Sequence, residues 1–308
     1  MSVTGDGHSL PGDGLSVAAV QFQPVEGKTK ENLDRLMDAI QSIVDERPDT
    51  HVIVFPETCL SGYFLQGGVG EVAMSSDALL AELAGRYAGL STEQSLSVVL
   101  GFYEEYRSRF YNTAACFNLC PIAAESSLTH LHRKFFLPTY GVFEEKRYVN
   151  CGRQIRAFDI GGWRAAILIC EDAWHAISAA IAAVHGAEVL FVLSASPARG
   201  FSWPLPDNVT RWQALLKSMA VEHGVWVVCS GLTGFEGGKG FSGNSLIVDP
   251  FGHIVNQGPL SGEATVHARL VREDVIIARS QAPLLADLEA ALPDIIAELA
   301  HAAEGRIS

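Results

Sequence analysis

The chain has 308 residues, 48% of them hydrophobic, and a formal net charge of −13. That is ample material for a large core, and the acidic balance argues against nucleic acid or an anionic membrane as a partner, since both select basic surfaces. No uninterrupted run of ~18 apolar residues offers a membrane span, and the opening MSVTGDGHSLPGDG has neither the basic nor the apolar region of a signal peptide.

Residues 1–14 read as a disordered leader, and 15–308 as a single domain ending in a helical tail. LSVAAVQF at 15–22 is a first strand. Between 29 and 44, Leu33, Leu36, Met37, Ile40 and Ile43 recur at helical spacing. HVIVF at 51–55 is a continuous apolar strand ended by Pro56 and Glu57, and 77–90 is helical. Strands at 97–103 and 113–118 flank a charged turn at 104–109. A short strand at 128–133 runs into Lys134 and an aromatic loop at 135–148. Residues 155–160 and 164–169 read as a hairpin across Gly161-Gly162.

The second half alternates in the same way. An alanine-rich helix spans 173–184 and a buried strand 188–193. The loop SASPARGFSWPLPD leads to a helix at 208–223 and a strand at 225–230. The glycine-rich stretch 231–243 reads as a mobile surface loop. It fails the phosphate-loop pattern, because Gly240 follows Lys239 and Thr233 stands where the first glycine is required. Short strands at 244–248, 253–256 and 264–270 precede helices at 272–278 and 283–302. Strands and helices alternate without repeat, linker or composition shift, which predicts a layered α/β fold with mixed sheets.

Three polar residues stand directly after apolar runs: Glu57, Lys134 and Cys170. Strand ends are where open α/β folds bind ligands. Singly, each has a plain reading: a cap, a surface ion pair, a core thiol. As a set they match one need, a thiol nucleophile, a base that deprotonates it and a fixed cation for an oxyanion. A Cys-His pair is the competing arrangement, and none of His132, His175 and His223 has a context that marks it as a base. Six cysteines (Cys59, Cys116, Cys120, Cys151, Cys170 and Cys229) form no CxxC pair. Reduced thiols in a cytoplasmic protein are expected, with Cys59 read as a packing residue.

FPETCLSGY around Glu57, HRKFFLPTYGVFEEKRYV around Lys134 and ILICEDAW around Cys170 resemble, in order and spacing, the three signatures of the nitrilase, or carbon–nitrogen hydrolase, superfamily. The likeness covers about 15–288. The middle and third motifs look most like the glutaminase domain of glutamine-dependent NAD synthetase and its free-standing amidase relatives. The resemblance implies a four-layer α-β-β-α sandwich, a homodimer or higher homo-oligomer, and amide hydrolysis through a thioester without metal or cofactor. It implies Glu57 as base, Cys170 as nucleophile, and Lys134 with the Glu171 backbone N–H as oxyanion donors. A second glutamate follows the lysine in the family. Glu144 and Glu145 compete for that place, and Glu145, eleven positions on, is favoured. Tyr140 and Ser196 are expected near the substrate, and Arg199 and Trp203 at its far end. Glu171 and Asp172 are otherwise expected to be helix-start acids. Because the chain ends at Ser308 without an ATP-binding half, a free-standing hydrolase of a small amide is expected. A nitrilase, an N-carbamoyl amide hydrolase and a glutaminase subunit feeding a separate synthetase are the alternatives.

Overall fold

The computed structural model describes residues 14–65, 68–200 and 204–305. In chain order the elements are β1 (Gly14–Gln21), α1 (Thr29–Glu46), β2 (Val52–Val54), α2 (Val69–Val72), α3 (Ser76–Tyr87), β3 (Leu96–Tyr106), β4 (Arg109–Leu119), β5 (Ser127–Arg133), α4 (Glu145–Tyr148), β6 (Ala157–Ile160), β7 (Trp163–Ile169), α5 (Ala176–Val184), β8 (Val189–Ser194), α6 (Asp207–His223), β9 (Trp226–Gly231), β10 (Thr233–Glu236), β11 (Lys239–Ser242), β12 (Leu246–Val248), β13 (Ile254–Gln257), β14 (Ala264–Val271), α7 (Arg272–Gln281) and α8 (Leu284–Glu304). The expected leader lies outside the described residues, except that Gly14 already pairs with Val271 in β1.

Two six-stranded mixed sheets carry the fold, β14-β1-β2-β3-β4-β5 and β13-β12-β9-β8-β7-β6. In the first, β1, β2 and β3 run parallel and the outer pairings are antiparallel. The second repeats that pattern with β7, β8 and β9 as the parallel set. The period-2 pleat sorts the side chains of β1. Leu15, Val17 and Ala19 join the core shared with the second sheet, while Ala18 and Val20 pack with Leu36 and Ile40 of α1 and Leu83 of α3. On the other side, Leu216 and Ala220 of α6 and Ala179 and Ala182 of α5 close the second sheet. The layers are therefore α-β-β-α, as the family resemblance implied. β8, VLFVLS, is buried along its whole length because it lies inside a sheet covered on both faces.

Three local expectations are corrected. The glycine-rich stretch is not a mobile loop: it forms the β10–β11 hairpin, which Pro197 joins through a bridge to Phe241. The charged turn at 104–109 shrinks to Arg107-Ser108, both with positive φ (50° and 58°), because β3 continues and Glu104 is buried. The helix after Cys170 starts late. A 3-10 turn, Cys170–Trp174, precedes α5. In the last helix, α8, only Leu285 is buried among the described residues, so most of its apolar stripe faces outward. No helix among the described residues is long and apolar enough to cross a membrane.

Candidate active site

Glu57, Lys134 and Cys170 each stand one to three residues past the end of a strand, β2, β5 and β7. The turn carrying Glu57 folds back against β3, with Gly101 N–H donating to Pro56 O at 3.2 Å. Only glycine allows that approach, because a Cβ at Gly101 would lie 2.7 Å from Glu57 Cα. Lys134 is tied at both backbone ends, donating to Asn112 O (2.8 Å) and accepting from Gly152 N–H (2.7 Å). Cys170 sits on a sharp turn with φ 45°, in the left-handed region that a non-glycine residue seldom adopts.

These turns bring the charged groups into direct contact. Lys134 Nζ donates to Glu57 Oε1 at 2.7 Å and to Glu145 Oε1 at 2.6 Å. Asn112 Nδ2 also donates to Glu57 Oε1 (2.8 Å), and Ala195 N–H reaches Glu57 Oε2 (2.7 Å) across 138 residues of sequence. Tyr63 O–H donates to Glu145 Oε1. Glu57 and Lys134 are wholly buried. Of the two competing acids, Glu145 meets the lysine, whereas Glu144 is exposed and pairs with Arg147.

The electrostatics follow from burial against charge. Burial alone pushes the Lys134 ammonium down, but Glu145 and Glu57 outweigh it and hold the group well above its ordinary value. Burial raises the Glu145 carboxyl to about 7, against the pull of Lys134. Burial, then the Glu57 carboxylate, pushes the Cys170 thiol well above its ordinary value, with Lys134 opposing. The resting thiol is thus protonated, and a nucleophile here requires an adjacent base. Ser194 Oγ lies 3.9 Å from Cys170 Sγ.

Asp172 does far more than begin a helix. Its Oδ1 accepts Phe135 N–H and Phe136 N–H, both at 2.9 Å, while Oδ2 accepts Ile169 N–H (3.1 Å) and lies 2.8 Å from His132 Nε2. It joins the loop after Lys134 to the turn of Cys170. Glu171 likewise engages through its side chain: Oε2 accepts Tyr140 O–H at 2.8 Å. Ser196 Oγ accepts Trp212 Nε1–H at 3.0 Å, and Arg199 N–H donates to Asn208 Oδ1 at 2.8 Å, so both are anchored to α6. The Arg199 guanidinium lies 5.3 Å from the Phe143 ring centre, and its buried Nε has no hydrogen-bond partner among the described residues. Trp203 lies outside the described residues. Cys59 is buried on Gly101 O, its thiol pushed up to about 12 by burial.

Tyr63, Asn112, Ala195 and Glu236 escaped the sequence reading. Glu236, on the hairpin mistaken for a loop, accepts the N–H groups of Tyr63 (2.7 Å) and Phe64 (3.1 Å). The usable signals were Tyr63 inside the first motif and Asn112, polar in an otherwise apolar strand.

A four-layer sandwich that gathers a thiol, an ammonium and a carboxylate at its strand ends, with a second carboxylate from α4, has the parts of an enzyme that hydrolyses carbon–nitrogen bonds. The chain belongs to the carbon-nitrogen hydrolase family, whose model matches residues 16–280. It is 26% identical over 277 residues to the 2-oxoglutaramate amidase of Bacillus subtilis, covering 89% of this chain and 97% of that protein. It is 28% identical over 257 residues to the glutamine-dependent NAD(+) synthetase of Thermotoga maritima, covering 82% of this chain and 41% of the synthetase. The chain thus spans about two fifths of the synthetases it matches. Among solved structures, a carbon-nitrogen hydrolase from Helicobacter pylori G27 has the same fold (TM-score 0.76, 20% identity, covering 89% of this chain and 95% of that one). So has a nitrilase-superfamily amidase from Nesterenkonia AN1 (TM-score 0.73, 22% identity, 93% and 99%).

Proposed function

We propose that the chain hydrolyses the amide of a small carboxylic acid to carboxylate and ammonia, through a thioester on Cys170. The observation that carries this reading is the buried contact of Lys134 with Glu57 and Glu145, whose charges act on the protonated Cys170 thiol. Glu57 takes the thiol proton as sulfur attacks the amide carbon. The oxyanion forms against the Lys134 ammonium and the Glu171 N–H, each worth about 3 kcal/mol in the transition state. The C–N bond breaks, and ammonia leaves with the proton that Glu57 returns. Glu57 then deprotonates water, which attacks the thioester, releasing the acid and restoring the thiol. Glu145 fixes the ammonium.

The substrate's far end is read by Arg199, with Tyr140 and Ser196 around it and Trp203 as a further candidate from the sequence. A guanidinium whose buried Nε is unpartnered among the described residues favours an anionic group there. The near-complete match to an amidase acting on 2-oxoglutaramate supports an amide whose other end is a carboxylate. The partial match to synthetases supports a second reading, a glutaminase unit supplying ammonia to a partner. We place the enzyme in the cytoplasm, consistent with six free cysteines, and as a homo-oligomer, consistent with exposed Ile276, Ile296 and Leu299.

Ammonia release should be compared on dicarboxylate monoamides, glutamine, neutral amides, nitriles and N-carbamoyl compounds. Dicarboxylate monoamides should be turned over without a partner, and Arg199→Ala should raise their KM but not that of neutral amides. Cys170→Ala should fold and be inactive, and mass spectrometry during turnover should find the acyl group on Cys170. An adduct on Cys59, or activity in Cys170→Ala, refutes the mechanism.

A further inference from the structure

A cavity of about 490 Å³ is lined by Arg133 and Gly152, whose backbones adjoin Lys134. Its walls include Arg109, Arg133 and Arg153 and, among the described residues, no carboxylate. That is unusual in a chain of net charge −13, because like charges gathered in one recess repel unless an anion joins them. Arg133 is held by the buried Glu104, with bonds of 2.6 and 2.8 Å, and its guanidinium lies over the Tyr106 and Tyr111 rings at 4.2 and 4.4 Å. It is therefore rigid, and Glu104 neutralises it. Arg109 and Arg153 are exposed and have no acidic partner among the described residues, so two positive charges at the rim are uncompensated. Asn150 and Gln154 add neutral polar groups to the wall.

We propose that this cavity binds a small phosphate-bearing metabolite, with Arg109 and Arg153 closing on the phosphate and Tyr111 and the Arg133 stack forming the floor. Paired guanidinium forks match phosphate oxygens in number and geometry. The volume exceeds that of a bare ion and falls in the range of ~300–1,000 Å³ usual for small-molecule sites. The site is joined to the reaction centre through one short path. Gly152 N–H bonds Lys134 O at 2.7 Å, and Gly152 packs so closely that a Cβ there would lie 2.0 Å from Arg133 O. An occupant pressing on residues 150–154 therefore acts on the backbone that holds the lysine.

The full chain should be titrated calorimetrically, at matched ionic strength, with inorganic phosphate, ribose 5-phosphate and AMP, and with adenosine as the uncharged control. The expected result is a Kd on the order of 1 mM or tighter for at least one phosphate ester, weaker binding of inorganic phosphate and none of adenosine. The Arg109→Ala/Arg153→Ala double variant should lose that binding at least ~10-fold while keeping the wild-type kcat measured without ligand. Adding the bound ester should change the kcat of the wild type and not of the double variant. Absence of binding by all three phosphates, equal binding by the double variant, or tighter binding of adenosine than AMP overturns the site. An unchanged wild-type kcat at saturation overturns its coupling to Lys134.

Discussion

His132 Nε2 and Asp172 Oδ2 lie 2.8 Å apart, both buried, and this contact bridges the two sheets just beneath the reacting groups. His132 belongs to β5 and Asp172 to the turn after β7. Because the carboxylate accepts, the ring nitrogen carries the proton. Asp172→Ala removes this acceptor and leaves three backbone N–H groups unpaired. The expected loss is about 3–5 kcal/mol, the usual result of breaking a buried polar pair from one side. Urea unfolding measures it, and a change under about 1 kcal/mol would show that water replaces these bonds.

Glu145 is the titrating group to follow. Its carboxyl, raised to about 7 by burial, clamps Lys134 only when ionised. Turnover should rise with pH through a limb near that value, and Glu145→Gln should flatten the limb and lower kcat about 10²-fold. The stability effect has the opposite sign. A carboxyl raised in the folded state stabilises below its unfolded value of 4.5 and loses that contribution as pH climbs to about 7. Melting curves of Glu145→Gln and wild type should therefore diverge in the variant's favour as pH rises over this window.

Lys134→Met leaves two buried carboxylates without their shared cation. The wild-type ammonium, held well above its ordinary value, contributes stability throughout the neutral range. The variant should hold up best in mild acid, where the raised Glu145 carboxyl is protonated, and weaken as it ionises. Its melting temperature should fall further below wild type at about pH 8 than at about pH 5. A gap that is constant with pH argues against an ionising Glu145 beside the lysine.

Gly101→Ala tests how the turn of Glu57 is built. The new Cβ meets Thr58 N at 2.6 Å and Glu57 Cα at 2.7 Å, both backbone, so the turn must shift. Overpacking of this kind destabilises by about 1–3 kcal/mol, and kcat should fall because the base moves. Gly85→Ala, in α3 with open space around it, serves as the control and should be neutral or stabilising by about 0.5–1 kcal/mol. Equal effects of the two would show that the Glu57 turn tolerates displacement.

Much of the architecture was legible because it is written in local patterns. Apolar runs of strand length, helical spacing in 29–44 and the Gly161-Gly162 turn each reflect forces between near neighbours. Where the glycine-rich stretch was misread, the reason is equally physical: β10 and β11 are short, and the partners that hold them, Tyr63 and Pro197, are distant in sequence.

From residue order alone came three polar side chains at strand ends, their sequence along the chain and the family they resemble. Only the folded chain decided which acid meets the lysine, since Glu144 and Glu145 are adjacent, Glu144 capping the four-residue helix α4 from outside and Glu145 opening it. It also decided that Asp172 is a strut between sheets and that a backbone amide from Ala195 orients Glu57. Such contacts depend on turns that reverse the chain far from the residues they join. Their free energy lies in burial and geometry, which residue type by itself does not specify.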